Sequence, residues 1–239
     1  MSVSPSVDQI PELGTVAFGS AVSSTVLDDL RAHADDTERA KIRRRLPDPD
    51  IPVIGVRMGT VFDLARTHTA LPLTEVDRLL GHDEYEARML AVAVLDFKSR
   101  DRHIDDTGRR ELYELWMRRI DRMGIWDLID RSAPRVLGLY LLDKARDPLF
   151  ELAAAPDVWH RRTAVVATFT IIRAGDIDDP LRLCTGLAGD PEKFVQTALG
   201  TALREIGRVD PVRLTTFLAG PGSRLSAAAR RVARTALTG

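Results

Sequence analysis

Cysteine is almost missing: Cys184 stands alone in 239 residues. That excludes a disulfide scaffold and any multi-cysteine zinc or iron–sulfur centre. The five histidines (His33, His68, His82, His103 and His160) form no HExxH motif and no i,i+4 pair. A histidine-built metal site is therefore not expected, and neither a metal nor a cofactor is called for. No apolar run approaches the roughly 18 residues that a membrane span needs. Met1 to Val26 lacks a basic opening and carries Asp8 and Glu12, so it does not read as a signal peptide. These absences lead to the expectation of a soluble, cytoplasmic chain with no membrane partner. Strand signals are scarce too, since the one β-rich run, Ile51–Val56, is short and broken by Pro52 and Gly55.

What is present is apolar and charged material in balance, 44% hydrophobic and 29% charged, enough for a sizeable core. Helical periodicity recurs over Thr37–Arg45, Tyr85–Phe97, Arg109–Ile120, Arg135–Leu142, Arg162–Arg173, Phe194–Ile206 and Leu225–Leu237. Breakers such as Gly81-His82-Asp83, Ala155-Pro156-Asp157, Gly189-Asp190-Pro191 and Val209-Asp210-Pro211 separate these segments, and their aspartates are natural N-caps. The class is all-α.

The helices also repeat. Tyr85, Trp159 and Phe194 each open an alanine-rich apolar helix after an acidic turn, and with Trp126 as an equivalent opener the spacings are 41, 33 and 35 residues. Periods of that size belong to two-helix solenoid units of the HEAT kind. The expected architecture is a superhelical solenoid of antiparallel helix pairs with one binding face. Residues 1–25 are expected to be a mobile leader, and residues 26–239 a single helical-repeat domain.

The net charge of −1 hides an uneven distribution. Residues 1–36 hold six acids against Arg31, whereas residues 201–239 hold seven arginines against Glu205 and Asp210. A neutral total therefore leaves room for an anion-binding face. Arginine makes up 30 of the 34 basic residues, a bias that suits phosphate recognition and equally fits codon usage.

One stretch carries more chemistry than the rest: Gly124-Ile-Trp-Asp-Leu-Ile-Asp-Arg-Ser-Ala-Pro-Arg-Val-Leu-Gly138. Trp126 and Asp130 are four apart and share a helix face. Pro134 lies four after Asp130, where its ring is expected to kink the helix beside that carboxylate. On chemistry alone two readings stay open: a packed tryptophan with Asp130 capping or pairing with an arginine, or a reactive site.

With this segment the sequence resembles the AlkD-type DNA alkylation repair glycosylases. Trp126-Asp-Leu-Ile-Asp130 with Pro134 and Gly138 looks like that family's central motif, and Trp159-His-Arg-Arg162 like its next one. Val195–Ile206 is similar to the motif after that, and Ile54-Gly-Val-Arg57 to an early entry segment. The resemblance runs in order from about residue 37 to 237. It implies HEAT-like helix pairs whose concave face grips duplex DNA. It also implies hydrolysis of the N-glycosidic bond of cationic N3- or N7-alkylated purines, without metal or cofactor, by a monomer. Carried over residue by residue, it makes Asp130 the catalytic carboxylate, Trp126 the sugar-facing aromatic and Arg162 a contact to the DNA backbone.

Arg161, Thr201, Arg204, Arg43 and Arg44 complete the expected DNA-binding set. For Arg204 the competing reading is an ion pair with Glu205, and for Arg43 and Arg44 a solvated helix face. Thr201 stands where the family often carries a second tryptophan, and residues 37–54 lack an aromatic, so the cradle is expected to reduce to Trp126. Trp116, Trp159 and Phe169 are expected in the core, and Cys184 as a small buried hydrophobe. Two other functions fit an all-α repeat: a DNA-binding paralogue with weak or no catalysis, and a protein-binding helical scaffold.

Overall fold

A computed structural model describes residues 17–238. Among these residues the chain forms thirteen α-helices and no strand. They are α1 (Ala17–Ala32), α2 (Asp36–Arg45), α3 (Met58–Thr67), α4 (Leu73–Leu80), α5 (Tyr85–Ser99), α6 (Asp106–Arg118) and α7 (Trp126–Tyr140). There follow α8 (Asp147–Ala154), α9 (Val158–Arg173), α10 (Asp178–Leu187), α11 (Lys193–Val209), α12 (Pro211–Ala219) and α13 (Ala227–Arg234).

Two layers result. In one, α3, α5, α7, α9, α11 and α13 pack each against the next; in the other, α4, α6, α8 and α10 back α5, α7, α9 and α11, and α12 packs on α11. The repeat read from the sequence is the first layer. Tyr85 and Trp126 are the first residues of α5 and α7, and Trp159 and Phe194 are the second residues of α9 and α11. Its helices run in the same direction, because contacts between α7 and α9 and between α9 and α11 keep one offset: Asp130 meets Arg162, Arg162 meets Phe194, and Arg173 meets Glu205.

Several caps are the aspartates the sequence offers. Asp157 accepts from the N–H groups of Trp159 and His160, and Asp210 accepts from that of Arg213. Asp190 instead accepts from Glu192, one residue ahead of α11. The second-layer helices are short, and the period scan finds only α6 among them.

Helix α1 begins at Ala17, so residues 17–25 of the expected leader are helical. Val26 and Leu30 of α1 are fully buried, which ties this helix to the core. Residues 1–16 lie outside the described residues. The β-rich run Ile51–Val56 is an extended link between α2 and α3. The Glu86 carboxylate gathers the N–H groups of Ile54 (2.9 Å), Gly55 (2.8 Å) and Val56 (3.1 Å), pinning this link beside the start of α5. Gly55 sits at φ 98°, and a Cβ there would lie 2.4 Å from the Asp35 carbonyl oxygen.

Trp116 is fully buried, its indole N–H donating to the Ser132 hydroxyl at 2.7 Å. Cys184 is a buried thiol that desolvation pushes up in pKa, which leaves it unreactive. No helix among the described residues is long and apolar enough to cross a membrane.

Candidate active site

The first turns of α7, α9 and α11 meet at one level of the layer. Trp126 opens α7 half-buried, and Asp130 follows one turn later on the same side. Arg162 of α9 holds Asp130 by a two-pronged fork. Its Nη2 donates to Oδ2 at 2.7 Å and to Oδ1 at 2.8 Å, and its Nε donates to Oδ1 at 3.1 Å. Nη1 donates to the Phe194 carbonyl of α11. The guanidinium is the hidden partner, with 5% of its side chain exposed against 35% for Asp130. The pair thus offers the carboxylate, not the cation, to an incoming ligand. Burial pushes the Asp130 carboxyl above the usual carboxylate range, while Arg162 pulls it back toward the ionised form.

The backbone makes this fork possible. Gly138 lets α9 approach α7: a Cβ there would sit 2.1 Å from the Ala167 carbonyl oxygen. Pro134 is buried within α7, and its own carbonyl accepts a hydrogen bond from the Thr170 hydroxyl of α9. The helix runs on through Pro134 without a break, so the proline frees the Asp130 carbonyl of its return bond and does not divide α7.

A second carboxylate lies beside the first. Asp127 accepts from the Tyr85 hydroxyl of α5 at 2.6 Å, and Tyr85 in turn accepts from Arg45 at the end of α2 at 2.8 Å. Arg45 also stands 3.6 Å from Asp127. Desolvation raises the Asp127 carboxyl, and burial together with Asp127 raises the Tyr85 phenol. The sequence reading missed this network, because its three members lie on three elements about 40 residues apart. Trp159, expected in the core, is half-buried and stacks on Phe194 with ring centroids 4.8 Å apart. Its indole edge faces Gly124, the residue two before α7.

The other expected site residues divide. Arg162, expected at the DNA backbone, is buried here with its fork on Asp130 and the Phe194 carbonyl. Arg161 is likewise engaged within the protein. It pairs with the buried Asp190 at 2.6 Å and donates to the carbonyls of Ala155 (3.1 Å) and Pro156 (2.6 Å), stapling two loops together. Thr201 of α11 is half-buried, its hydroxyl turned back to the Thr197 carbonyl at 3.2 Å. Arg204 makes the ion pair with Glu205, at 3.1 Å. Arg43 and Arg44 are exposed on α2, two residues and one residue before the Arg45 that reaches the site. Arg44 donates only to the Ala40 carbonyl, and Arg43 has no partner among the described residues.

These features define an all-helical repeat protein in which a buried arginine holds a half-exposed carboxylate one turn after a tryptophan, in a layer of parallel helices. The chain belongs to the DNA alkylation repair enzyme family, whose model matches residues 26–237. Its fold is similar to that of a predicted DNA alkylation repair enzyme from Enterococcus faecalis. That match has 15% identity and a TM-score of 0.55, and it covers 84% of this chain and 95% of the other. No curated protein sequence matches the chain at a significant level.

Proposed function

We propose that the chain is a DNA glycosylase that hydrolyses the N-glycosidic bond of cationic N3- or N7-alkylated purines in duplex DNA. The observation that carries this reading is the Asp130–Arg162 fork, in which a buried arginine turns a half-exposed carboxylate outward beside Trp126. An alkylated purine already bears positive charge, so it departs as a neutral base with the bonding electron pair and needs no strong general acid. The barrier is then the oxocarbenium-like sugar left behind, as in glycoside hydrolysis. A fixed carboxylate stabilises that charge and accepts a proton from the water that adds to the sugar carbon. The Trp126 indole face adds cation–π stabilisation of roughly 0.5–2 kcal/mol. Arg162 works at one remove, since its fork fixes the rotamer of Asp130 and favours the ionised state. Arg43 and Arg44, beside the site on α2, serve as phosphate contacts.

The deciding experiment uses a duplex oligonucleotide with one N7-alkylguanine and counts abasic sites for the wild type and for Asp130→Asn. Excision by the wild type alone is expected, with a loss on the order of 10²-fold or more in the variant. An Asp130→Asn protein with full turnover removes the mechanism. No excision by either protein, with duplex binding that weakens as salt rises, identifies a DNA-binding paralogue. Neither excision nor binding leaves a helical scaffold.

A further inference from the structure

Three turns along α9 from the fork, α9 and α11 carry a second acid–arginine cluster of opposite build. Arg173 of α9 lies eleven residues after Arg162, and Glu205 of α11 lies eleven after Phe194, so each pair shares one helix face. Glu205 is buried, with 10% of its side chain exposed, and three arginines surround it. Arg208 is 2.8 Å away, Arg204 3.1 Å and Arg173 4.0 Å. All three keep their guanidinium groups in reach of solvent, at 60%, 33% and 55% exposure. One carboxylate cannot neutralise three cations, so the cluster carries a formal excess of two positive charges. Glu205 holds the forks in place without using all their donors, which is how a phosphate-binding surface is preorganised.

We propose that Arg173, Arg204 and Arg208 around Glu205 form a phosphodiester-binding site for the DNA strand opposite the one presented to Asp130. The proposal rests on the glycosylase reading of the Asp130 site. The Asp130 row crosses α7, α9 and α11 at their first turns, and the Glu205 row crosses α9 and α11 further along. Eleven residues at helical rise separate the rows by about 16 Å. A major groove is about 12 Å wide between phosphate ridges that have width of their own. A duplex lying along the rows therefore sets one strand on each. The acidic row receives the sugar of the damaged strand, and the basic row grips its complement.

The test is duplex binding by fluorescence anisotropy across a salt series, with the wild type, Arg173→Gln/Arg208→Gln and Glu205→Gln. The double substitution leaves Arg204 to satisfy Glu205, and thermal melting checks that it folds. Its salt slope is expected to flatten by about two phosphate contacts, with affinity at low salt falling about tenfold or more. Excision is expected to fall with binding at limiting protein. Glu205→Gln is expected to keep the wild-type slope, because its arginines remain; a merely structural ion cluster would make the two variants alike.

Neutral methylphosphonate linkages then assign the strand. On the undamaged strand they are expected to weaken the wild type more than the double variant, which keeps only Arg204 at this site. Sensitivity confined to the damaged strand overturns the assignment. A wild-type salt slope in the double variant, with excision intact, overturns this site alone. A wild type that neither binds nor excises overturns the glycosylase reading with it.

Discussion

The two acid–arginine clusters of the α7–α9–α11 layer, one between α7 and α9 and one between α9 and α11, are inversions of each other. At Asp130 the arginine is buried and the acid is half-exposed, whereas at Glu205 the acid is buried and the arginines are exposed. Both are carboxylate–guanidinium contacts at ordinary distances, and a list of ion pairs would not separate them. Exposure does, because the partner that stays in contact with solvent is the charge available to a ligand. The first cluster therefore offers an anion suited to a developing cation, and the second offers cations suited to phosphate. Stoichiometry points the same way, with one arginine on Asp130 and three around Glu205.

The largest expected effect comes from breaking the first cluster on its hidden side. Arg162→Gln removes both the fork and the positive charge that favours ionised Asp130. In single-turnover assays, excision is expected to fall on the order of 10²-fold, although Arg162 touches no substrate. The pH profile separates this from simple misfolding. The ionised carboxylate is the working form, so activity falls as pH drops through the Asp130 pKa. Burial raises that pKa, so the acid limb of the wild type is expected above the range of an ordinary aspartate. Loss of Arg162 removes the opposing pull and is expected to move the limb higher still. A limb that stays in place shows that Arg162 does not set the charge of Asp130.

Stability should separate the clusters as well. Asp130→Asn leaves a buried guanidinium without its counter-charge, at a cost of about 3 kcal/mol. Glu205→Gln leaves three cations that are free to turn into water, at a cost of about 1 kcal/mol or less. Equal losses in urea denaturation would mean that the burial contrast does not govern the energetics. Gly138→Ala tests the α7–α9 approach that aligns the first cluster. Its Cβ meets the Ala167 carbonyl oxygen, so α7 and α9 must separate, with an expected loss of about 1–3 kcal/mol and reduced excision.

The middle of the first layer was legible in the sequence because an aromatic opener and an apolar face recur at α5, α7, α9 and α11. The second layer was largely not. Its helices α4, α8, α10 and α12 span 8, 8, 10 and 9 residues, too few turns for a period to declare itself. Trp126 and Asp130 were legible because a four-residue spacing is local. The roles of Arg161 and Arg162 were not, because their partners Asp190 and Asp130 lie 29 and 32 residues away on other elements. Adjacent residues on a helix point about 100° apart, so which of two neighbouring arginines turns toward the carboxylate depends on how α7 and α9 are aligned.

That pair of arginines supplies the smallest expected effect and a control for the rest. Arg161 is as basic as Arg173 and closer to Asp130 in the fold, so a reading based on charge alone gives it a phosphate. Its donors are instead taken by Asp190 and two loop carbonyls, and its side chain is 15% exposed. Arg161→Met is therefore expected to leave the salt slope of duplex binding unchanged while lowering the melting temperature, since the buried Asp190 loses its counter-charge. A slope that flattens by a full contact would mean that Arg161 leaves the loops for DNA. In that case exposure in the free protein would no longer identify the charges that bind, and the contrast between the two clusters would lose its meaning.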